Sequence, residues 1–215
     1  MYTHIGIVKD QVIYHAAISA MQTSLNRMRL WTARGSNLEP PSLESDAFLN
    51  LSVSVLEGYV QDIYKEAIDN KMLTDRHNIR NSLPYATDGI DNILVNQNQI
   101  KILDLHGYPL MVAEAAVDYM MRGIRERYQQ EYQQGSNTLD FTHILIITGK
   151  GNHVNSLGSR RVLRKEIESM FIHRYEGITL SFSSNNDGCI IVTREAVMTW
   201  LQTTTGAADV DLKGT

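Results

Sequence analysis

Between His143 and Thr148 the chain runs Ile144-Leu145-Ile146-Ile147 without a polar residue. A short, mostly β-branched run closed by Thr148-Gly149 predicts a strand buried on both faces. Such a strand lies inside a sheet with other elements layered on it, so this part of the chain is α/β. The flanking pattern extends the reading. Ile100 to Leu105 is a second short strand, and Met111 to Tyr128 a helix with Ala113, Ala116, Val117, Met120, Met121 and Ile124 on one face. Ser159 to Phe171 is a further helix, followed by strands at Ile178–Ser183 and Cys189–Thr193, a turn at Ser184–Gly188 and a short helix from Glu195 to Leu201. The order β-α-β-α-β-β-α implies a parallel pair joined through a helix. It predicts a four-stranded mixed sheet with its two main helices on one face.

The first half reads differently. Gln11 to Leu25 has helical spacing with Asp10 as its N-cap. Arg34 to Asp46 is a loop rich in Pro, Gly and Ser. Two helices follow, from Asp46 to about Leu56 and from Gly58 to Asn70. The sequence therefore divides into a helical region over 1–77, a polar linker over 78–98, an α/β domain over 99–202 and a frayed tail over 203–215.

Composition narrows the function. With 43 % hydrophobic residues the chain can bury a core, and a net charge of −4 argues against coating nucleic acid by bulk attraction. Contact with nucleic acid must come from a local patch. The stretch from Lys150 to Lys165 carries Lys150, Arg160, Arg161, Arg164 and Lys165 with no acid among them. The single cysteine, Cys189, excludes an intramolecular disulfide and a cysteine-based zinc site, and a reducing intracellular setting is expected. No apolar run approaches the roughly eighteen residues of a membrane span. Met1 to Asp10 matches neither a secretory signal nor an organelle transit peptide.

Two segments carry candidate chemistry, each where a strand stops. In Leu103-Asp104-Leu105-His106-Gly107, alternation places Asp104 and His106 on one face. An acid and an imidazole so placed can bind a divalent cation, or act as base and orienter. They can equally be a turn cap and a structural histidine. In Gly149-Lys150-Gly151-Asn152-His153, glycines around a lysine let backbone approach a phosphate, with Lys150 for charge and His153 as proton donor, acceptor or phosphate contact. A plain turn reads as well from these residues alone, and the spacing is not that of a Walker A loop. If the two strands are parallel neighbours, both segments reach the carboxyl edge, where open α/β sheets bind ligands. Arg160, Arg161 and Arg164 open the next helix, whose amides also attract phosphate. A solvated basic face is the alternative.

In this order and about forty residues apart, the two segments resemble the LDLHG and TGxG motifs of the Smr (small MutS-related) domain. The resemblance covers Ile100 to Leu201. It implies an α/β sandwich similar to the C-terminal domain of bacterial translation initiation factor 3. It also implies metal-assisted nicking of RNA or DNA, with RNA favoured. The implied roles are Asp104 as metal ligand or orienter and His106 as general base or ligand. Lys150 with Gly107, Gly149, Gly151, Arg160, Arg161 and Arg164 would hold phosphate. His153 would be the proton donor, and a magnesium or manganese ion the cofactor.

Residues 6–21 and 60–73 are similar to pentatricopeptide (PPR) helices, although the stretch between them does not keep the repeat spacing. His15 and Asp75 fall near base-reading positions. Asn186-Asp187-Gly188 and Val197-Met198-Thr199-Trp200-Leu201 resemble the ending of PPR-SMR proteins of plant-type organelles, which implies a chloroplast or mitochondrial setting. Two further readings stand beside the nuclease: a module that binds RNA or a ribosomal surface without turnover, and an assembly factor whose helical half binds protein.

Overall fold

The structure is a computed structural model that describes residues 10–33, 52–73, 100–134, 140–149, 162–182 and 187–210. The chain forms two compact units. One combines Met1–Asp75 with Met111–Tyr119, and the other combines Arg76–Leu110 with Met120–Thr215.

The first unit holds helices α1 (Gln11–Ala33) and α2 (Val53–Asp69). Asp10 caps α1 as predicted, its Oδ1 accepting from the Ile13 amide at 2.9 Å. Tyr14, Ile18, Gln22 and Leu25 form the buried stripe of α1. The helix continues eight residues past its predicted end at Leu25. There the inward positions are polar, so hydrophobic periodicity loses them. Gln22 and Asn26 meet Glu114 at 3.2 and 2.9 Å, and Arg29 bridges Glu57 at 2.7 Å and Asp118 at 3.4 Å. The second helix also differs from the prediction of two helices broken near Gly58. It is one helix through Gly58, capped by Ser52, and buries Leu56, Val60, Tyr64 and Ala67. An added Cβ at Gly58 would meet nothing within 4 Å, and glycine there lowers helix propensity without stopping the helix.

The second unit is α/β. From Ile100 onward the elements are β1 (Ile100–Asp104), α3 (Leu110–Gln133), β2 (His143–Ile147), α4 (Val162–Arg174), β3 (Leu180–Phe182), β4 (Cys189–Thr193) and α5 (Arg194–Val210). Their order is the predicted one. The four strands make one mixed sheet in the order β1-β2-β4-β3, with β1 and β2 parallel and both other pairings antiparallel.

Register sorts the core. Leu103, Ile144, Ile146, Ile190 and Val192 lie on one face and are fully buried. Ile102, Leu145, Cys189 and Ile191 pack together on the other. The aliphatic run is thus buried on both faces, as its composition predicts.

Boundaries shift by local chemistry. Strand β3 begins at Leu180 rather than Ile178, because Gly177 at φ +93° and the Ile178 amide bonded to the Tyr175 carbonyl still belong to a turn. Helix α5 runs to Val210, through the predicted boundary at 202. The predicted linker, the basic residues Lys150, Arg160 and Arg161, and the start of the predicted helix at Ser159 lie outside the described residues. Among the described residues no helix is long and apolar enough to cross a membrane.

Candidate functional site

Parallel pairing decides where the two motifs meet. Asp104 stands opposite Ile147, and the Leu105 amide donates to the Ile147 carbonyl at 2.8 Å. Both strands therefore end at the same edge. The chain leaves β1 through a turn closed by the Tyr108 amide on the Leu105 carbonyl at 3.0 Å, with Gly107 at its third position and φ +76°. An L side chain rarely takes that angle, which is why glycine follows the histidine.

The turn folds His106 back onto the strand end. Asp104 Oδ1 accepts from the His106 amide at 3.1 Å and lies 2.5 Å from His106 Nδ1. An ionised carboxylate only accepts, so in that state Nδ1 carries the proton of this bond, and the bond sets the tautomer of the ring. The two residues differ sharply in exposure. The Asp104 side chain is 4 % exposed and that of His106 62 %. A buried carboxylate thus lies against an exposed imidazole. Asp104 and His106 do meet, but through the turn rather than by strand alternation, because β1 ends at Asp104.

Gly149 closes the site from the other strand. Its φ is +79°, and a Cβ built there would stand 3.3 Å from the His106 Cβ. Backbone at Gly149 therefore lies close beside the imidazole-bearing residue, and a side chain there would need a shift of a few tenths of an ångström. The residue before it, Thr148, is buried and anchored twice. Its amide donates to the Gly188 carbonyl at 2.8 Å and its hydroxyl to the same oxygen at 3.2 Å. The Asp187-Gly188 pair, read from sequence as a turn only, thus pins the exit of β2. A threonine just ahead of the glycine motif and a D-G dipeptide ahead of a strand were the signals available.

Arg164, predicted as a phosphate contact, is placed at this turn. Its Nε donates to Glu168 at 2.5 Å and its Nη1 to the Asp187 carbonyl at 2.6 Å. Its guanidinium carbon lies 4.7 Å from the Phe182 ring centroid. The side chain is 16 % exposed.

Asp104, His106, Gly107 and Gly149 are therefore brought together, with Arg164 behind them. Lys150, Gly151, His153, Arg160 and Arg161 lie outside the described residues. Asp104 Oδ1 and His106 Nδ1 are used on each other, so a divalent ion held here would take Asp104 Oδ2 or His106 Nε2, which are not part of that bond. Among the described residues no group of three His, Cys, Asp or Glu is placed to hold a metal.

Of the base-reading positions, Asp75 lies outside the described residues. His15 turns its Nε2 into the protein, where it finds no hydrogen-bond partner among the described residues, and burial lowers the pKa of its ring. Trp200 is a packing residue: 2 % exposed, edge-on to Tyr175, with Arg125 over its ring at 4.6 Å.

No protein-family model matches the chain. No curated protein and no solved structure matches it either.

Proposed function

We propose that the second unit is an Smr-type nucleic-acid-binding domain that cleaves phosphodiesters of RNA, with DNA as the weaker substrate. One observation carries the reading: an exposed imidazole oriented through Nδ1 by a buried carboxylate, beside a left-handed glycine at the carboxyl edge of two parallel strands. A carboxylate that fixes tautomer and ring direction prepares Nε2 for general acid–base work. The glycine backbone supplies an approach for a phosphate without a side chain in the way.

In this reading His106 Nε2 takes the proton of the attacking oxygen. Lys150 and the Gly149 and Gly151 amides hold the phosphate, and His153 returns a proton to the leaving oxygen. Asp104 stabilises the imidazolium that forms. A magnesium or manganese ion, when bound, would neutralise charge on the phosphate. The PPR-like helices would lend RNA or protein contacts in an organellar gene-expression factor.

The test is cleavage of end-labelled single-stranded RNA, duplex RNA and supercoiled DNA in magnesium, in manganese and in EDTA. His106→Ala and Asp104→Asn should each lower the cleavage rate by about 10²–10⁴-fold, the usual worth of a positioned general base, while gel-shift binding persists. Unchanged cleavage by His106→Ala would overturn the proposal. Binding without any cleavage by the native chain would leave a binding module instead.

A further inference from the structure

We propose that Arg164 is a positioning residue of this site, not a phosphate ligand: it clamps the Asp187-Gly188 turn and, through Thr148, sets Gly149 beside His106. The inference rests on the nuclease reading for its functional consequence, but its structural half stands on its own.

The chain of contacts is continuous. The Arg164 guanidinium lies over Phe182 of β3, with Nε on Glu168 one helical turn along α4 and Nη1 on the Asp187 carbonyl. The next residue, Gly188, offers its carbonyl to both the amide and the hydroxyl of Thr148. Thr148 leads into Gly149, whose left-handed backbone abuts His106. Hydrogen bonds and a ring contact tie Arg164 to the turn and the turn to Thr148; from there the chain itself and a close approach of Gly149 carry the link to His106.

The geometry asks for arginine. A planar guanidinium can stack on a ring and donate in two directions in its own plane. An ammonium has the same charge but cannot lie on Phe182 while reaching both Glu168 and a main-chain oxygen. The carbonyl of Asp187, at 2.6 Å, is the short contact; its carboxylate is 3.7 Å from the same nitrogen. The clamp therefore grips the main chain of the turn rather than a side chain.

Two variants of the full chain separate a clamp from a phosphate ligand. Arg164→Lys keeps the charge and removes the fork. Glu168→Ala keeps every cation and removes the group that holds the fork in plane. If Arg164 positions, both variants lower the single-turnover cleavage rate by at least about tenfold, because small misplacements at a reacting centre cost that much. RNA affinity and its salt dependence stay as in the native chain. The amide NMR signals of Thr148 and Gly149 move in both.

If Arg164 instead binds phosphate, Arg164→Lys keeps cleavage, Glu168→Ala tightens RNA binding, and Arg164→Gln reduces the slope of log affinity against log salt by about one. That pattern overturns the proposal. Native protein that neither binds nor cuts RNA defeats the nuclease reading alone, and the Thr148 and Gly149 amide signals still decide the clamp: unmoved signals in folded Glu168→Ala refute it.

Discussion

Gly149→Ala isolates the part of the site built from main chain. Two terms oppose the substitution. At φ +79° an L residue pays about 1–2 kcal/mol for left-handed backbone. The new Cβ would also sit 3.3 Å from the His106 Cβ, an atom fixed to main chain that cannot rotate away. Crowding of this kind adds about 1–3 kcal/mol. One term favours it, the lost freedom of the unfolded chain, worth about 0.4–1 kcal/mol. The net expectation is a loss of about 2–4 kcal/mol. Gly107→Ala supplies the control. Its φ of +76° carries the same backbone cost, but an added Cβ meets nothing within 4 Å, so it should lose only about 1 kcal/mol. Urea unfolding of the two variants measures the difference, which is the contact with His106. The His106 ring signals in proton NMR should shift more in Gly149→Ala than in Gly107→Ala. Equal unfolding midpoints and equal ring signals would refute the reasoning, because the two glycines would then differ in nothing that matters to His106.

In the helical unit, Glu114→Ala should cost about 1–3 kcal/mol, since Gln22 and Asn26 both donate to Glu114 Oε2 and lose that buried acceptor. Gln22→Leu should cost less by the same urea assay, because Glu114 keeps Asn26 and Asp118 keeps Arg29; the reverse order would contradict the network. The pH dependence of stability should carry a mark from His15, whose burial holds it below its ordinary value of 6.5. The folded chain then binds fewer protons than the unfolded one, so this contribution is complete above pH 6.5 and is lost as pH falls through the lowered folded value. His15→Gln should flatten the urea midpoint between neutral and mildly acid pH, and an unaltered slope would exclude His15 as its source.

Much of the α/β unit is legible in the sequence because its signals are local. The run at Ile144–Ile147 reads as a strand, and Gly107 after β1 and Gly149 after β2 mark where the chain must turn. The helical unit is less legible for a physical reason. The inward face of α1 mixes Ile18 and Leu25 with Gln22, Asn26 and Arg29, whose nitrogens donate to Glu57, Glu114 and Asp118 far along the chain. A periodicity search reads such a face as solvent-exposed, so it ends the helix early. Arg164 shows the same blind spot at the site. As a residue type in a basic stretch it reads as a phosphate contact, while its ring and carbonyl partners stand on β3 and ahead of β4.

The dyad itself depends on where the strand stops, and spacing alone does not say that. In a continuing strand, residues two apart stand about 6.6 Å from one another along the axis, and their side chains run side by side. Asp104 is the last residue of β1, and the turn closed by Gly107 folds His106 back until Nδ1 reaches the carboxylate at 2.5 Å. The end of the strand also divides the environments. Asp104 is still inside the sheet and buried, while His106 has left it and is exposed. One residue is thus placed to orient and the other to meet solvent or substrate. This division follows from the strand end and the glycine rather than from the acid and the imidazole as residue types. A D-x-H spacing within an uninterrupted strand would not produce it.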